Sequence, residues 1–454
     1  MTAPAGPVPV RPERLVDPVV GVVRRVVAVT GHPELPRSYR CRVAEVADTR
    51  QFAVWLADRI AAGTSFGDDR AARLAAIGEA VERYCGNNIP ADLPLARVAD
   101  LPAGDAVLTP AELPVFAPEQ VERPGFPYRP WTPDLPIRWV RGRDEDGRAC
   151  WVPGSWVYLN WHQGRRADDP RINHLHYAGI ACGQGPADAA DRALTECLER
   201  DAMVAWWTLR LPAVPVDPWS VPALRRAWRG CPLQVRLIAL PGGFGLPVLG
   251  ALIWDGRRHI PAAGFSAGPE PARAAAKAVQ EALQVWVASR GLLDPDGASL
   301  RAVRQGIFAR GAYLPFRADR RYLDSAGAQF EHVRDLAAQT QRWLDRRLHP
   351  MLRRFAPPGR PRSVDDLPRD PGGLAAARAA LRAAGHRVVT VDLTTDDVRS
   401  TGLGVVRVLV SGLLVNSPAA YPYLGTPRLG RLATAHGRTV GGQPDVTPVP
   451  PPHN

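Results

Sequence analysis

The sequence predicts an α+β fold in which mixed β-sheets pack with helices. Strand-like and helix-like stretches intermingle along the 454 residues without a regular βαβ rhythm, which argues against a doubly wound sheet. Ala-rich stretches with helical periodicity also alternate with β-branched runs bounded by Gly and Pro. With 46% hydrophobic and 22% charged residues, the chain can bury one large core or two to three smaller ones.

In chain order, residues 1–14 are Pro-rich and read as a flexible N-terminus, 15–445 as the folded body, and 446–454 as a Pro-rich tail. LVDPVVGVVRRVVAVTG reads as a strand or a pair of strands. The segment 51–84 reads as two helices parted by a Gly/Asp turn, with Leu74, Ile77, Val81 and Tyr84 as the apolar stripe of the second. From Asn87 to about Pro136 prolines are frequent and periodicity is lost, so an irregular excursion is expected before the strands RWVRGR and ACWVPGSWVYLNW. A helix should run from about Pro186 to Leu209, after the glycines of AGIACGQG. QVRLIAL, PVLGALIW and HIPAAGFSAG read as strands, PARAAAKAVQEALQVWVASR as a helix, and a helix-rich region should extend to about Gly385. RVVTVDLT and GVVRVLVSGLL close the body as strands, and the tail PDVTPVPPPHN cannot be helical.

Composition excludes several classes. The six cysteines form no C-x-x-C pair, which argues against a zinc ribbon and a disulfide framework and for a reducing, cytoplasmic setting. The N-terminus lacks the h-region of an export signal, and no apolar run reaches the roughly 18 residues a membrane span requires. The net charge is +12 and Lys277 is the only lysine, but the arginines are dispersed without interleaved aromatics, so no nucleic-acid partner is expected. No G-x-x-x-x-G-K-[ST] or H-E-x-x-H occurs. His174 and His176 form an H-x-H on an extended segment, which places both rings on one strand face without implying a metal.

The informative pattern is a repeat. GEAVERY carries Glu79, Glu82 and Arg83, and TECLERDA carries Glu196, Glu199 and Arg200, each as E-x-x-E-R within a helix. Carboxylates at i and i+3 share one helix side and repel unless a cation lies between them. One copy alone reads as a solvated face with an i,i+4 ion pair. Two such helices brought together present four carboxylates, a set that suits Mg²⁺ bridging to nucleotide phosphates. A third helix adds Lys277, Glu281 and Gln284 at i, i+4 and i+7.

The order GxxRxxxxAAIGEAVERY, AGIACGQGPADAADRALTECLERDA, AxxKAVQEALQ, VDLTTDDV and a Pro-rich tail resembles the YcaO family over about residues 15–452. The resemblance implies a non-P-loop ATP site in which Glu79, Glu82, Glu196 and Glu199 hold Mg²⁺. Glu281 matches the acidic residue of the family's third helix, Lys277 stands where an arginine is usual, and Ser65 with Gly67 matches the early nucleotide loop without its lysine. Ala178 and Arg192 are further departures from the family pattern. Pro448, Pro450 and Pro452 form a P-x-P-x-P that resembles the C-terminal motif of azoline-forming members and implies a place at the reacting centre, although His453 and Asn454 follow it here. Alternate prolines favour an extended, low-entropy segment suited to pinning a chain end.

The implied activity is ATP- and Mg²⁺-dependent O-phosphorylation of backbone amides in a ribosomal precursor peptide, closing Cys, Ser or Thr into thiazoline or oxazoline. Thioamide or amidine formation and a non-catalytic, peptide-presenting role are the alternatives. A separate ThiF-like or leader-binding partner is implied, and a homodimer is the default assembly.

Overall fold

The computed structural model describes residues 10–29, 31–47, 59–440 and 442–453. An antiparallel meander comes first: β1 (Val23–Ala28), β2 (Tyr39–Val46) and β3 (Ile60–Phe66). Of the first helix expected within 51–84, residues 51–58 lie outside the described residues, and Ile60–Phe66 corrects the rest to a strand. High alanine content suggested helix, but tertiary packing decides. Ala61, Gly63 and Ser65 face inward, and a Cβ at Gly63 would lie 2.2 Å from both the Ala72 carbonyl oxygen and the Ala76 nitrogen. Only glycine allows that strand to lie so close to the helix behind it.

That helix is α1 (Asp69–Asn87), capped by the Asp68 carboxylate, which accepts from the Ala71 N–H at 2.9 Å. Its buried face is Ala72, Ala76, Ile77, Ala80, Val81 and Cys85. Leu74 and Tyr84 of the expected stripe are only half-buried, and the Tyr84 hydroxyl donates to Asp397 at 3.0 Å.

β4 (Leu95–Ala96), β5 (Ala106–Val107), β6 (Ile137–Asp144), β7 (Ala149–Pro153) and β8 (Ile180–Gly183) belong to the largest sheet. β7 ends at Pro153, short of the expected strand, because a helical turn follows at Gly154–Val157. A Cβ on Gly154 would meet the Trp161 ring at 2.3 Å. Next come α2 (Pro186–Thr208), β9 (Val214–Val216), β10 (Gln234–Ala239), β11 (Val248–Asp255), β12 (Ile260–Ala267) and α3 (Pro271–Arg290). The region up to Gly385 is less helical than expected, holding α4 (Ala298–Arg304), α5 (Leu336–Arg342) and α6 (Gly373–Ala383) among turns and 3₁₀ segments. β13 (Val388–Asp392) and β14 (Gly404–Val410) complete the large sheet, ordered β5-β7-β6-β13-β14-β8 with β4 on β6. β9 to β12 form a second antiparallel sheet, ordered β12-β11-β10-β9.

Three helices tie the three sheets into a closed ring. α1 packs on β2 and β3 and also on β8; α2 packs on β8 and β14 and also on β11 and β12; α3 packs on β11 and β12 and also on β3. Each helix follows directly on a strand it packs against, so the chain folds as three strand–turn–helix units. Because every helix is shared between two sheets, their inner faces converge. No helix among the described residues is long and apolar enough to cross a membrane.

Candidate active site

The convergence brings together carboxylates that lie far apart in sequence. Glu82 on α1 accepts the Cys182 N–H of β8 at 2.7 Å. Glu196 on α2 accepts the Gly179 N–H at 3.1 Å, and Glu199 one turn later accepts the Ala267 N–H at the end of β12 at 3.3 Å. Each carboxylate is thus fixed by a backbone amide at a sheet the helix packs against. A Cβ on Gly179, whose φ is +84°, would lie 2.6 Å from the Val408 carbonyl, so that donor loop closes only with glycine.

Glu196 stands electrostatically between the two halves, acting on Glu82 from one side and on Glu199, Lys277 and Glu281 from the other. Burial, with repulsion from Glu79, pushes the Glu82 carboxyl up to about 8. Burial, with Glu281 and Glu196, pushes Glu199 up to about 8 against the pull of Arg200. Burial also raises Glu281, opposed by Lys277.

The basic groups are arranged around this set. Arg83 pairs with Glu79 at 3.2 Å and lies over the Tyr177 ring. Arg200 reaches Glu196 at 3.7 Å and Glu199 at 3.5 Å. Lys277, whose side chain is 63% exposed, stands 3.7 Å from Glu281. The i,i+4 pairs foreseen for a solvated helix face therefore exist, but the Arg83 and Arg200 side chains are only 17% and 14% exposed.

The carboxylates were tested as a Mg²⁺ site on their unsatisfied atoms. Glu281 Oε2 is buried without a hydrogen-bond partner among the described residues, and Glu199 Oε1, also buried, has only the loose ion pair with Arg200 at 3.5 Å. Anionic oxygens short of donors, held close enough to raise one another's pKa, fit a hard cation. No three potential ligands are gathered tightly enough to enclose a metal among the described residues.

The Ser65 hydroxyl is buried in β3 and donates to the Asp68 carbonyl, so it fastens the turn into α1. Arg192 is likewise turned to Asp188 at 2.9 Å, on an exposed helix face. Ala178 is buried, with its carbonyl taken by Arg407 at 2.7 Å.

The tail does reach the cluster. The Trp207 indole donates to the Val449 carbonyl at 2.6 Å, Trp343 to the Pro450 carbonyl at 3.1 Å, and the Ala263 N–H to the Pro452 carbonyl at 2.8 Å. Pro448 and Pro450 wall a hollow beside α2. The prolines carry no titratable group and so cannot exchange protons. Beyond them His453, 4% exposed, bonds the Arg200 guanidinium.

Sequence reasoning missed three contributors. His453 was read only as a residue after the motif. Arg407, wholly buried in β14, donates to the carbonyls of Val157, His176, Tyr177 and Ala178 and so fixes the segment that delivers the Gly179 N–H. Burial lowers its pKa to about 10. Asp201 accepts two bonds from Arg428, at 2.7 and 2.6 Å, and one from the Leu414 N–H at 2.9 Å, tying α2 to the chain after β14. An arginine in a β-branched strand and an aspartate after E-x-x-E-R were the available signals. His174 and His176 are core residues: His174 meets the Tyr128 hydroxyl at 2.8 Å, and burial lowers both imidazoles.

A family model described as YcaO cyclodehydratase, ATP- and Mg²⁺-binding, matches residues 65–414. A protein of Rhizobium leguminosarum bv. trifolii, described as an uncharacterized protein in the tfuA 3' region, is 28% identical over 240 residues, which cover 48% of this chain and 52% of that protein. Among solved structures, a heterocyclase in complex with substrate and cofactor is similar with a TM-score of 0.68 at 20% identity, over 97% of this chain and 56% of that one. YcaO from Methanopyrus kandleri bound with AMPPCP and Mg²⁺ is similar with a TM-score of 0.53 at 20% identity, over 86% of both chains. The chain spans little more than half the length of the first two proteins. The structural likenesses show a shared fold.

Proposed function

Because the chain belongs to the YcaO family, we propose that it uses Mg²⁺ and ATP to activate backbone amides of a ribosomally made precursor peptide, closing Cys, Ser or Thr into azoline rings. The observation that carries this is the meeting of Glu82, Glu196, Glu199 and Glu281 from three helices, with buried oxygens short of donors. Glu79, Glu82, Glu196 and Glu199 are the residues that would hold the metal, with Glu281 and Lys277 facing the nucleotide. Bound there, Mg²⁺ supplies charge neutralisation for the phosphates.

An amide oxygen is a poor leaving group. In the proposed reaction the substrate thiol or hydroxyl loses its proton to solvent as it attacks the preceding carbonyl carbon, and the resulting oxyanion takes the γ-phosphoryl group of ATP, releasing ADP. The amide nitrogen then loses its proton, phosphate departs with the former carbonyl oxygen, and C=N forms. Arg200 and Lys277 are placed to balance negative charge as it moves between oxygens. The tail, with Pro448, Pro450 and Pro452 as its rigid positions, holds His453 against Arg200 and walls the approach of the peptide. A separate leader-binding or ThiF-like chain presenting the precursor, a cytoplasmic setting and a homodimer complete the proposal.

A second reading, thioamide formation, is favoured by one observation: the Rhizobium relative is described by its position beside tfuA. Mass spectrometry of the precursor peptide encoded beside this gene, incubated with the protein, its neighbouring partner and Mg·ATP, separates the two. Loss of about 18 Da per modified residue supports azoline formation through phosphoryl transfer, and a gain of about 16 Da supports thioamidation. Nucleotide binding without any mass change would favour a presenting subunit.

A further inference from the structure

A hollow lies between the end of α2, the segment 414–424 and the tail. We propose that it binds an uncharged, extended stretch of the peptide substrate next to the residue being modified, a reading that rests on the proposed function and adds the subsite.

The walls define the ligand class. Pro448 and Pro450 on one side and Pro418 and Pro422 on the other are stiff and apolar, while Asn416 and Thr447 offer hydrogen bonds. The only charged residues among those lining it are Arg123 and Glu331, one of each sign, so the hollow lacks the cationic cluster a phosphate would need. An extended peptide backbone, with alternating donors and acceptors and small side chains, matches apolar walls carrying a few amides and hydroxyls.

Gln339 on α5 supplies a second, independent observation. It lines the hollow and is 0% exposed; its Nε2 donates to the His453 carbonyl at 3.1 Å, while its Oε1 has no partner among the described residues. A buried acceptor left without a donor costs about 1–3 kcal/mol. A peptide N–H is the kind of donor it lacks.

The hollow shares a wall with a cavity beside Arg200. Leu414 and Val415 line the hollow and also line this smaller cavity, bounded by Arg200, Cys197 and His176. Leu414 is held by Asp201, two residues beyond Glu199. The Gln339 amide that would meet the peptide also holds His453, whose ring bonds Arg200. Peptide and nucleotide would then occupy opposite sides of the tail.

The test uses the full chain, the capped peptide acetyl-Gly-Gly-Cys-Gly-Gly-amide as probe, and Mg·AMPPCP as the nucleotide. Ser417→Trp fills the hollow from its rim, and Ser417→Leu is the milder variant should the first fail to fold. Saturation-transfer NMR should show the probe bound to the wild type, with at least tenfold weaker binding in the filled variants and Mg·AMPPCP affinity within twofold. Equal probe binding by wild type and folded variants, or no transfer to the wild type at millimolar probe, overturns the subsite. Probe binding lost on filling the hollow, in a protein that changes no peptide mass with ATP, keeps the subsite and removes the proposed chemistry. Undiminished ATP-dependent mass loss in Ser417→Trp keeps the chemistry and removes the subsite.

Discussion

The His453 ring accepts a hydrogen bond from Arg200 at Nε2 while its Nδ1 donates to the Ala263 carbonyl at 3.2 Å. A carbonyl only accepts, so the proton lies on Nδ1 and the ring is neutral. Burial beside Arg200 lowers its pKa to about 3, which keeps it so at any working pH. One N–H of Arg200 Nη1 is thereby given to His453, while the same nitrogen stands 3.5 Å from Glu199 Oε1.

Replacing His453 by Leu removes that acceptor, and Arg200 is expected to settle further onto the carboxylates and compete with Mg²⁺. A lost buried acceptor costs about 1–3 kcal/mol, so Mg·AMPPCP affinity measured by calorimetry should fall roughly tenfold. His453→Gln, which can still accept from Arg200, should restore most of it. Equal affinity in all three proteins contradicts a positioning role.

Glu82→Gln and Glu196→Gln each keep shape and remove charge from the cluster. Peptide-dependent ATP turnover should fall by roughly 100-fold or more, as when preorganised electrostatic groups are removed, while the melting temperature of the metal-free protein holds, since Gln matches the neutral carboxyl in shape. Unchanged turnover in both variants would remove the metal-site assignment.

The pH dependence has a definite sign. Glu82 and Glu199 both have folded-state values of about 8, above the ordinary 4.5. Their contribution to the stability of the metal-free protein is complete below about 4.5 and is lost as pH rises through about 8. Thermal melts without metal should therefore lose stability between those values. Binding of Mg·AMPPCP at pH 7 should release up to about two protons, read from the buffer dependence of the calorimetric enthalpy.

Arg407→Met leaves four carbonyls without their shared donor and frees the segment carrying Gly179. Urea denaturation should show a loss of about 3 kcal/mol or more. A change below about 0.5 kcal/mol would mean that the segment is held by something else.

The helices and their carboxylates were legible in the sequence because both signals are local: α2 runs from Pro186 to Thr208 as its periodicity predicts, and E-x-x-E-R marks one face. β3 was not legible, since alanines favour helix and only contact with α1 makes Gly63 a strand residue. Nor could local pattern show that Glu82 uses an amide 100 positions away, or that Arg200 meets His453 across 253 residues. Nor does the position of Ser65 in the sequence show that its hydroxyl donates to the Asp68 carbonyl.

The central claim is that ATP activates the amide oxygen itself. The direct measurement is to label the backbone carbonyl preceding a reactive Cys of the precursor peptide with ¹⁸O, incubate it with the protein, its partner and Mg·ATP, and analyse the released phosphate by mass spectrometry. One ¹⁸O per phosphate, in step with about 18 Da of peptide mass lost as the ring closes, is the expected result. Unlabelled phosphate alongside modified peptide would contradict phosphorylation of the amide oxygen.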